Sequence, residues 1–130
     1  MDAISIALSG LNAQSAKLAA TASNIANAST SGRVPDDADP ASTVYRPLNV
    51  SYTALEAGVR AQVVPDEDGY SVVYAPSDLH ANEEGLIAVP NIDFAEQSVN
   101  LIAAKAAYKA NLAVIRVQDD LNEELLDTLA

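Results

Sequence analysis

Histidine occurs once in the sequence, as His80, close to Glu83 and Glu84. A histidine beside carboxylates could act as a general base, because its pKa lies near neutral pH and a carboxylate can orient the ring. No nucleophile stands at a recognisable spacing from His80, and the chain contains no cysteine. We therefore predict that His80 is an exposed loop residue, that there are no catalytic residues, and that the chain is not an enzyme.

Acidic residues could bind a cation at two places. Asp66, Asp68 and Gly69 resemble part of a calcium loop, but the EF-hand order needs a third ligand before the glycine and a glutamate further on, and both are missing. A tight turn explains the Asp68-Gly69 pair better. The acidic run at 36–39 could hold a cation weakly, although a solvated loop is the ordinary outcome of such a sequence. We expect no metal and no cofactor.

Two long helices are predicted at the ends of the chain. The first covers residues 3 to about 28 and carries a heptad seam with spacings of four and three: Ile4, Leu8, Leu11, Ser15, Leu18, Ala22 and Ile25. Most of its remaining surface is alanine, so each contact buries little area and the helix needs a partner.

The second helix is predicted from Asp93, its N-cap, to Ala130, and residues 94–130 contain neither glycine nor proline. One apolar face comprises Leu101, Ala104, Tyr108, Leu112, Ile115 and Leu126. The opposite face comprises Val99, Val114, Val117, Leu121 and Leu125. Between them lies one charged stripe: Lys105, Lys109, Arg116, Asp120, Glu123 and Asp127. A helix that is apolar on two faces needs neighbours on both, which indicates assembly with other protein molecules.

Residues 33–92 are predicted to form a loop and a small β insertion. Alternation favours an edge strand at 44–52, where Pro47 cannot donate a hydrogen bond, and strands at 59–64 and 70–74 joined as a hairpin through Asp68-Gly69. A short extended piece follows at 86–89. The predicted fold is mainly α with a small β-hairpin or sheet between the helices. Residues 1–32 and 93–130 form one helical unit, packed as an antiparallel coiled-coil hairpin.

The charge excludes some partners. Eighteen acidic residues against seven basic ones give a net charge of -11, which argues against nucleic acid and anionic membrane surfaces. No run of 18 apolar residues exists, so we expect no membrane insertion. The N-terminus opens with an acid and lacks a continuous apolar core, so export would use no cleaved signal peptide.

Two segments resemble a known family. Residues 22–28, with the core Asn24-Ile25-Ala26-Asn27, are similar to the N-terminal signature of the bacterial flagellar rod and hook proteins. Residues 99–102 and 107–111 are similar to that family's C-terminal helix. Within the family, the short length, the 89–93 lead-in and the Tyr45-Arg46 pair after a Gly/Pro/Asp loop resemble the proximal-rod members.

The resemblance implies a structural subunit of the flagellar basal body, in the rod that spans the periplasm. It implies export through the flagellar type III apparatus and helical assembly, with torque transmitted through the terminal helices to copies of itself and to other rod proteins. Another rod protein, or a soluble helical-hairpin adaptor or chaperone, remains an alternative. We predict that the assembly interface includes Ile4, Leu8, Leu11, Leu18, Asn24, Ile25, Asn27, Leu101, Tyr108, Asn111, Leu112, Ile115, Val117, Leu121 and Leu125.

Overall fold

The computed structural model describes residues 3–35 and 44–129. Helix α1 covers Ala3–Asn27 and helix α2 covers Phe94–Leu129. Between them lie four strands: β1 at Leu48–Leu55, β2 at Gly58–Pro65, β3 at Tyr70–Tyr74 and β4 at Leu86–Pro90. The predicted mainly α fold with two long helices and a small β region between them is confirmed. The acidic run at 36–39 lies outside the described residues.

The N-terminus of α2 is capped as the sequence predicts. The backbone N–H of Ala95 donates to Asp93 Oδ1 at 2.7 Å, and that of Glu96 reaches the same oxygen at 3.3 Å. Two of the N–H groups that a helix leaves without an internal partner are thereby satisfied. Asp93 therefore fixes where the 36-residue helix begins.

Two contacts set the register between α1 and α2. Asn24, near the end of α1, hydrogen-bonds Gln97, near the start of α2. Gly10 lies directly against the side chain of Asn111. Fourteen residues separate the two contact positions on each helix, and the contacts occur in opposite order along the two chains. By this register Ala3, the first described residue of α1, lies opposite Gln118.

A β-hairpin made of β1 and β2 lies lengthwise on α1. The strands pair antiparallel from Leu48 with Pro65 to Leu55 with Gly58. At one end the Leu48 backbone bonds the Asn24 side chain, and at the other the backbone N–H of Val59 donates to Ser9 Oγ at 3.1 Å. Helix α1 is thus the middle layer, with α2 and this hairpin packed on it.

The β3–β4 hairpin is a second, separate two-stranded sheet. It pairs Tyr70 with Pro90 through to Tyr74 with Leu86, and Gly32 bridges to Ala88. The predicted hairpin between 59–64 and 70–74 is therefore wrong, because each of those strands pairs with its other neighbour. Residues 66–69 do form a turn, in which Gly69 N–H donates to Asp66 O at 3.2 Å. The turn connects the two hairpins and does not close one.

The first strand also begins later than the alternation predicts. Val44 is buried, but β1 starts at Leu48, after Pro47. The loop of the β1–β2 hairpin is Glu56-Ala57, and it is followed by Gly58 at a φ of 130°, which a side chain rarely tolerates. This turn was not predicted, since the Glu-Ala pair is not a usual hairpin signal.

The core is thin and made largely of small side chains. Its buried apolar residues in the described ranges are Ala7, Leu11, Ala13, Ala20, Val44, Ile87, Ala88 and Ala104. Alanine contributes little apolar area, so hydrophobic burial within one chain gives modest stability. Many large apolar side chains of the two helices remain exposed, among them Leu8, Val117 and Leu125.

Candidate assembly interface

Helix α2 presents one covered and one uncovered apolar face. On the α1 side Ala104 is buried, and Tyr108, Leu112 and Ile115 are partly buried. The opposite face is exposed over its whole length: Val99, Val114, Val117, Leu121 and Leu125. Leu125 is 61% exposed and Val99 is 66% exposed, although both are large apolar side chains. Leu101 and Leu126, predicted on the α1 side, are also exposed, so the covered face is shorter than the predicted one.

The last part of α2 extends past the described part of α1. Every residue from 119 to 129 is exposed, including Leu126 and Leu129. This segment covers about 16 Å at the rise of an α-helix. We call residues 119–129 the overhang of α2. Leu126, predicted on the α1-facing side, lies in this overhang and is exposed.

Helix α1 buries a different line of residues from the predicted seam. Ala7, Leu11, Ala20, Thr21 and Asn24 are among the buried positions. Of the predicted seam residues, Leu11 is buried and Ile4, Leu18 and Ile25 are partly buried, whereas Leu8, Ser15 and Ala22 are exposed. The difference arises because α1 is covered on two sides, by α2 and by the β1–β2 hairpin. Leu8 consequently lies on a free surface of α1.

The asparagines of the 24–27 signature have roles inside the chain. Asn24 is 3% exposed. Its Oδ1 accepts from Leu48 N–H at 2.7 Å, and its Nδ2 donates to Leu48 O at 3.0 Å and to Gln97 Oε1 at 3.2 Å. The Tyr45 hydroxyl lies 3.0 Å from the same Oδ1. One amide therefore joins α1, the start of β1 and the start of α2.

Asn27 is the last residue of α1. Its Nδ2 donates to Ser23 O at 2.9 Å, and its carbonyl accepts from the Thr30 hydroxyl at 2.7 Å. Asn111, on α2, bonds its own helix through Ala107 O at 2.9 Å, with its side chain against Gly10. These predicted interface asparagines are partly buried, with much of their hydrogen bonding inside the chain.

Sequence reasoning missed the partners of these groups. Gln97 and Gly10 are among the residues at the contact between α1 and α2, and Ser9 is among those at the contact with the hairpin; none of the three was singled out. A buried glutamine has no sequence signature, since its burial follows from the register of two helices. Gly10 could have been noticed, because a glycine inside a long helix is costly and often marks close packing.

His80 lies in a polar cluster that brings together a serine, a histidine and an aspartate. His80 Nδ1 is 3.2 Å from Ser31 Oγ and 3.2 Å from Asp78 Oδ1, and the Ser31 hydroxyl donates to Asp78 Oδ2 at 3.0 Å. A hydrolase triad needs the serine and the aspartate on different ring nitrogens, so that the histidine can pass a proton between them. Here both lie on Nδ1. The cluster attaches the loop between β3 and β4 to the segment after α1.

The His80 side chain is at the border of exposed and partly buried, which differs little from the predicted exposed loop residue. The backbone N–H of His80, followed by the Ser31 hydroxyl, lowers the pKa of Asp78. Both groups stabilise the ionised carboxylate by donating hydrogen bonds to it. Within residues 3–35 and 44–129, no group of three or more acidic, histidine or cysteine residues is placed to hold a metal ion. Neither described helix is long and apolar enough to cross a membrane.

Both terminal helices lie in segments that match families of flagellar basal-body rod proteins. Residues 4–32, which include all of α1 except Ala3, match the family of flagella basal body rod proteins. Residues 83–128, which include β4 and most of α2, match the C-terminal family of the flagellar basal body rod FlgEFG proteins.

Relatives that align with most of the chain identify the particular family of rod proteins. The chain is 35% identical over 124 residues to the flagellar basal-body rod protein FlgC of Yersinia enterocolitica, covering 89% of this chain and 87% of that one. It is 33% identical over 111 residues to FlgC of Escherichia coli O157:H7, covering 85% and 83%. It is 26% identical over 129 residues to FlgC of Aquifex aeolicus, covering 97% and 94%. The chain belongs to the FlgC family of flagellar basal-body rod proteins. It is a structural protein of the flagellar basal body and not an enzyme.

Proposed function

We propose that this chain is a subunit of the proximal rod, which polymerises through its terminal helices and transmits torque. The observation that carries the proposal is the uncovered apolar face of α2, from Val99 to Leu125, on a member of a rod family. An exposed apolar surface of that length is unusual for a protein that acts alone. Contacts distributed along a helix are suited to transmitting torque between subunits, because the force is divided among many side chains.

The proposed assembly unit consists of residues 1–32 and 93–130, with 33–92 as an insertion. Helices α1 and α2 would pack as an antiparallel coiled coil, which the opposite order of the Asn24–Gln97 and Gly10–Asn111 contacts supports. The residues offered to neighbouring subunits are those with exposed apolar side chains. From the predicted interface these are Leu8, Leu101, Val117, Leu121 and Leu125.

Other predicted interface residues would act from inside the subunit. Six of them are partly buried, so a neighbouring subunit would contact only the exposed part of each side chain: Ile4, Leu18, Ile25, Tyr108, Leu112 and Ile115. Leu11 and Asn24 are buried and would hold the helices in the arrangement that the neighbour binds. Asn27 and Asn111 would do the same through their hydrogen bonds.

The proposed partners are copies of this chain, other flagellar rod proteins and, during export, the flagellar type III apparatus. The proposed location is the part of the basal body that spans the periplasm, reached without a cleaved signal peptide. The family membership supports these partners and this location, and the net charge of -11 is consistent with the absence of a nucleic-acid partner.

The test is to replace single residues on the uncovered face of α2 and to measure incorporation. Val117→Asp should remove the chain from purified basal bodies, measured by quantitative mass spectrometry, and should abolish swimming. Ser71→Asp adds the same charge at an exposed position of β3, outside both helices, and should leave both unchanged. Circular dichroism should show equal helix content in the two variants.

Wild-type chain missing from intact basal bodies would contradict the rod assignment. A defined soluble complex with one exported protein would then favour an adaptor or chaperone. Normal incorporation of Val117→Asp would contradict the role of the uncovered α2 face.

A further inference from the structure

The charged stripe of α2 is divided by sign. Its basic part is Lys105, Lys109 and Arg116, and its acidic part is Asp120, Glu123 and Asp127. At about 100° per residue, all six side chains fall within a sector of about 60°. Every one of them is exposed. The stripe therefore presents positive charge along the middle of the helix and negative charge along its overhang.

The stripe forms no salt bridge with another element of the described chain. In residues 3–35 and 44–129, the salt bridges pair Arg46 with Glu67 and His80 with Asp78, and none involves the stripe. Helix α1 cannot neutralise it, because Lys17 is its single charged residue. Asp127, the last residue of the stripe, lies in the final turn of α2, where the helix dipole disfavours negative charge. Positive charge from outside the chain would relieve this cost.

We propose that the acidic part of the stripe in one subunit binds the basic part of the stripe in a second copy of the chain, oriented in the same direction and displaced along the helix axis. This inference rests on the proposed function. The centres of the two parts are about 13 residues apart, which corresponds to a displacement of about 20 Å. Two parallel copies without displacement would place like charges opposite each other. The stripe thus selects one axial offset between neighbours.

The individual ion pairs are exposed and hence weak. They therefore determine the axial register between two subunits more than the affinity of one subunit for the other. The adjoining apolar face, with Val117, Leu121 and Leu125, supplies the burial. An apolar face alone allows sliding, because methyl groups make similar contacts at many offsets. A stripe that changes sign once along its length penalises every offset that brings like charges together.

The experiment exchanges charges in the full chain, in cells that lack the wild-type gene. One variant reverses the acidic part (Asp120→Lys, Glu123→Lys and Asp127→Lys), a second reverses the basic part (Lys105→Glu, Lys109→Glu and Arg116→Glu), and a third combines both sets. The matched control reverses three exposed acids outside the helix, Glu56→Lys, Glu83→Lys and Glu84→Lys. It changes the net charge by the same amount as the first variant.

We expect each single-sign reversal to reduce the amount of chain per basal body by about tenfold, since attraction becomes repulsion at several pairs. The combined variant should recover it, and the control should match the wild type. Recovery separates pairing from export, because a general export defect would not be relieved by a second set of reversals. Wild type present in basal bodies, with single-sign reversals that incorporate normally or a combined variant that does not recover, would overturn the inference. Wild type missing from basal bodies would instead overturn the proposed function.

Two antiparallel copies would also match opposite charges, but such a pair is closed and stops at a dimer. Analytical ultracentrifugation of the purified chain at low and high salt distinguishes the two arrangements. Salt-sensitive association that continues beyond a dimer supports the displaced parallel arrangement, and a salt-sensitive dimer that grows no further overturns it.

Discussion

The side-chain amide of Asn24 forms hydrogen bonds with both backbone groups of Leu48, at 2.7 Å to its N–H and 3.0 Å to its carbonyl. An asparagine amide has the same donor and acceptor as a peptide group, so this residue of α1 substitutes for a strand neighbour at the first position of β1. The bonds are local in space but join positions 24 residues apart. The start of the β insertion is thereby tied to the helix that precedes it.

Asn24→Ala should lower the free energy of unfolding by about 2–3 kcal/mol, because it leaves Gln97 and the Leu48 backbone groups without their buried partner. Asn12→Ala is the matched control, since Asn12 lies exposed on the same helix. It should change stability by less than about 0.5 kcal/mol. Urea unfolding followed by circular dichroism measures both. Equal midpoints for the two variants would contradict the proposed role of the Asn24 amide.

Gly10→Ala should stabilise the chain in an Asn111→Ala background but not in the wild type. In the wild type, a Cβ at Gly10 would lie 2.6 Å from Asn111 Oδ1, so the Asn111 side chain must move and the usual gain in helix propensity is lost. In an Asn111→Ala background the space is free, and Gly10→Ala should stabilise the chain by up to about 1 kcal/mol. A double-mutant cycle from thermal unfolding measures the coupling. A zero coupling energy would show that the two helices do not approach at this position.

Gly58→Ala should destabilise the chain by about 2 kcal/mol or more, because the φ of 130° is strained for alanine and the added Cβ would collide with the Ser9 side chain. Ala57→Ser, one residue earlier in the exposed turn, should have almost no effect. Adding Ser9→Ala should relieve only part of the collision, because the Cβ of residue 9 stays 2.9 Å from the added Cβ and the hydrogen bond from Val59 N–H is lost. Full recovery in Ser9→Ala/Gly58→Ala would mean that backbone strain at Gly58 is unimportant.

Asp78 should make the fold sensitive to acid. Its pKa is lower in the folded chain than in the unfolded one, so its contribution is complete above the unfolded pKa of about 4 and is lost as the pH falls through the folded value. The stability difference between the wild type and Asp78→Asn should therefore be greatest above pH about 4 and shrink below it. Urea unfolding over a pH series measures it. Ser77→Ala, at an exposed position of the same loop, should show no such trend.

A chain ending at Gln118 should separate folding from assembly. Residues 119–129 are exposed and lie beyond the described part of α1, so their removal should change the free energy of unfolding by less than about 1 kcal/mol. The same truncation should prevent incorporation into basal bodies. A large loss of monomer stability would show that the overhang packs against its own chain.

The two helices and the N-cap of α2 could be predicted from the sequence because their signals are local. Apolar spacing and Asp93 define α2, and the two apolar faces of that helix follow from its periodicity alone. Strand pairing could not be predicted in the same way. The Asp68-Gly69 pair has the composition of a hairpin turn, yet this turn connects two separate hairpins. Which strands pair depends on the packing of β1 and β2 against α1, and this packing is not a local signal.

The heptad seam of α1 shows a second limit of prediction from the sequence. The heptad through Leu8 and Leu11 assumes one partner, whereas α1 has two, so the buried line is shifted and Leu8 is exposed. The network around Asn24 depends on residues 24 and 73 positions away, and no local pattern encodes such a contact. The sequence did indicate that residues 24–27 matter, but only through family resemblance, and the physical reason required the structure.

The position of α1 between α2 and the β1–β2 hairpin has a mechanical consequence. When a layered beam bends, its layers must slide past one another, and fastening them at both ends opposes that sliding. The hairpin is fastened to α1 at Asn24 and again at Ser9, and α2 meets the same helix at Asn24 and at Gly10. The described part of the subunit should therefore resist flexing more than a pair of alanine-rich helices would on their own.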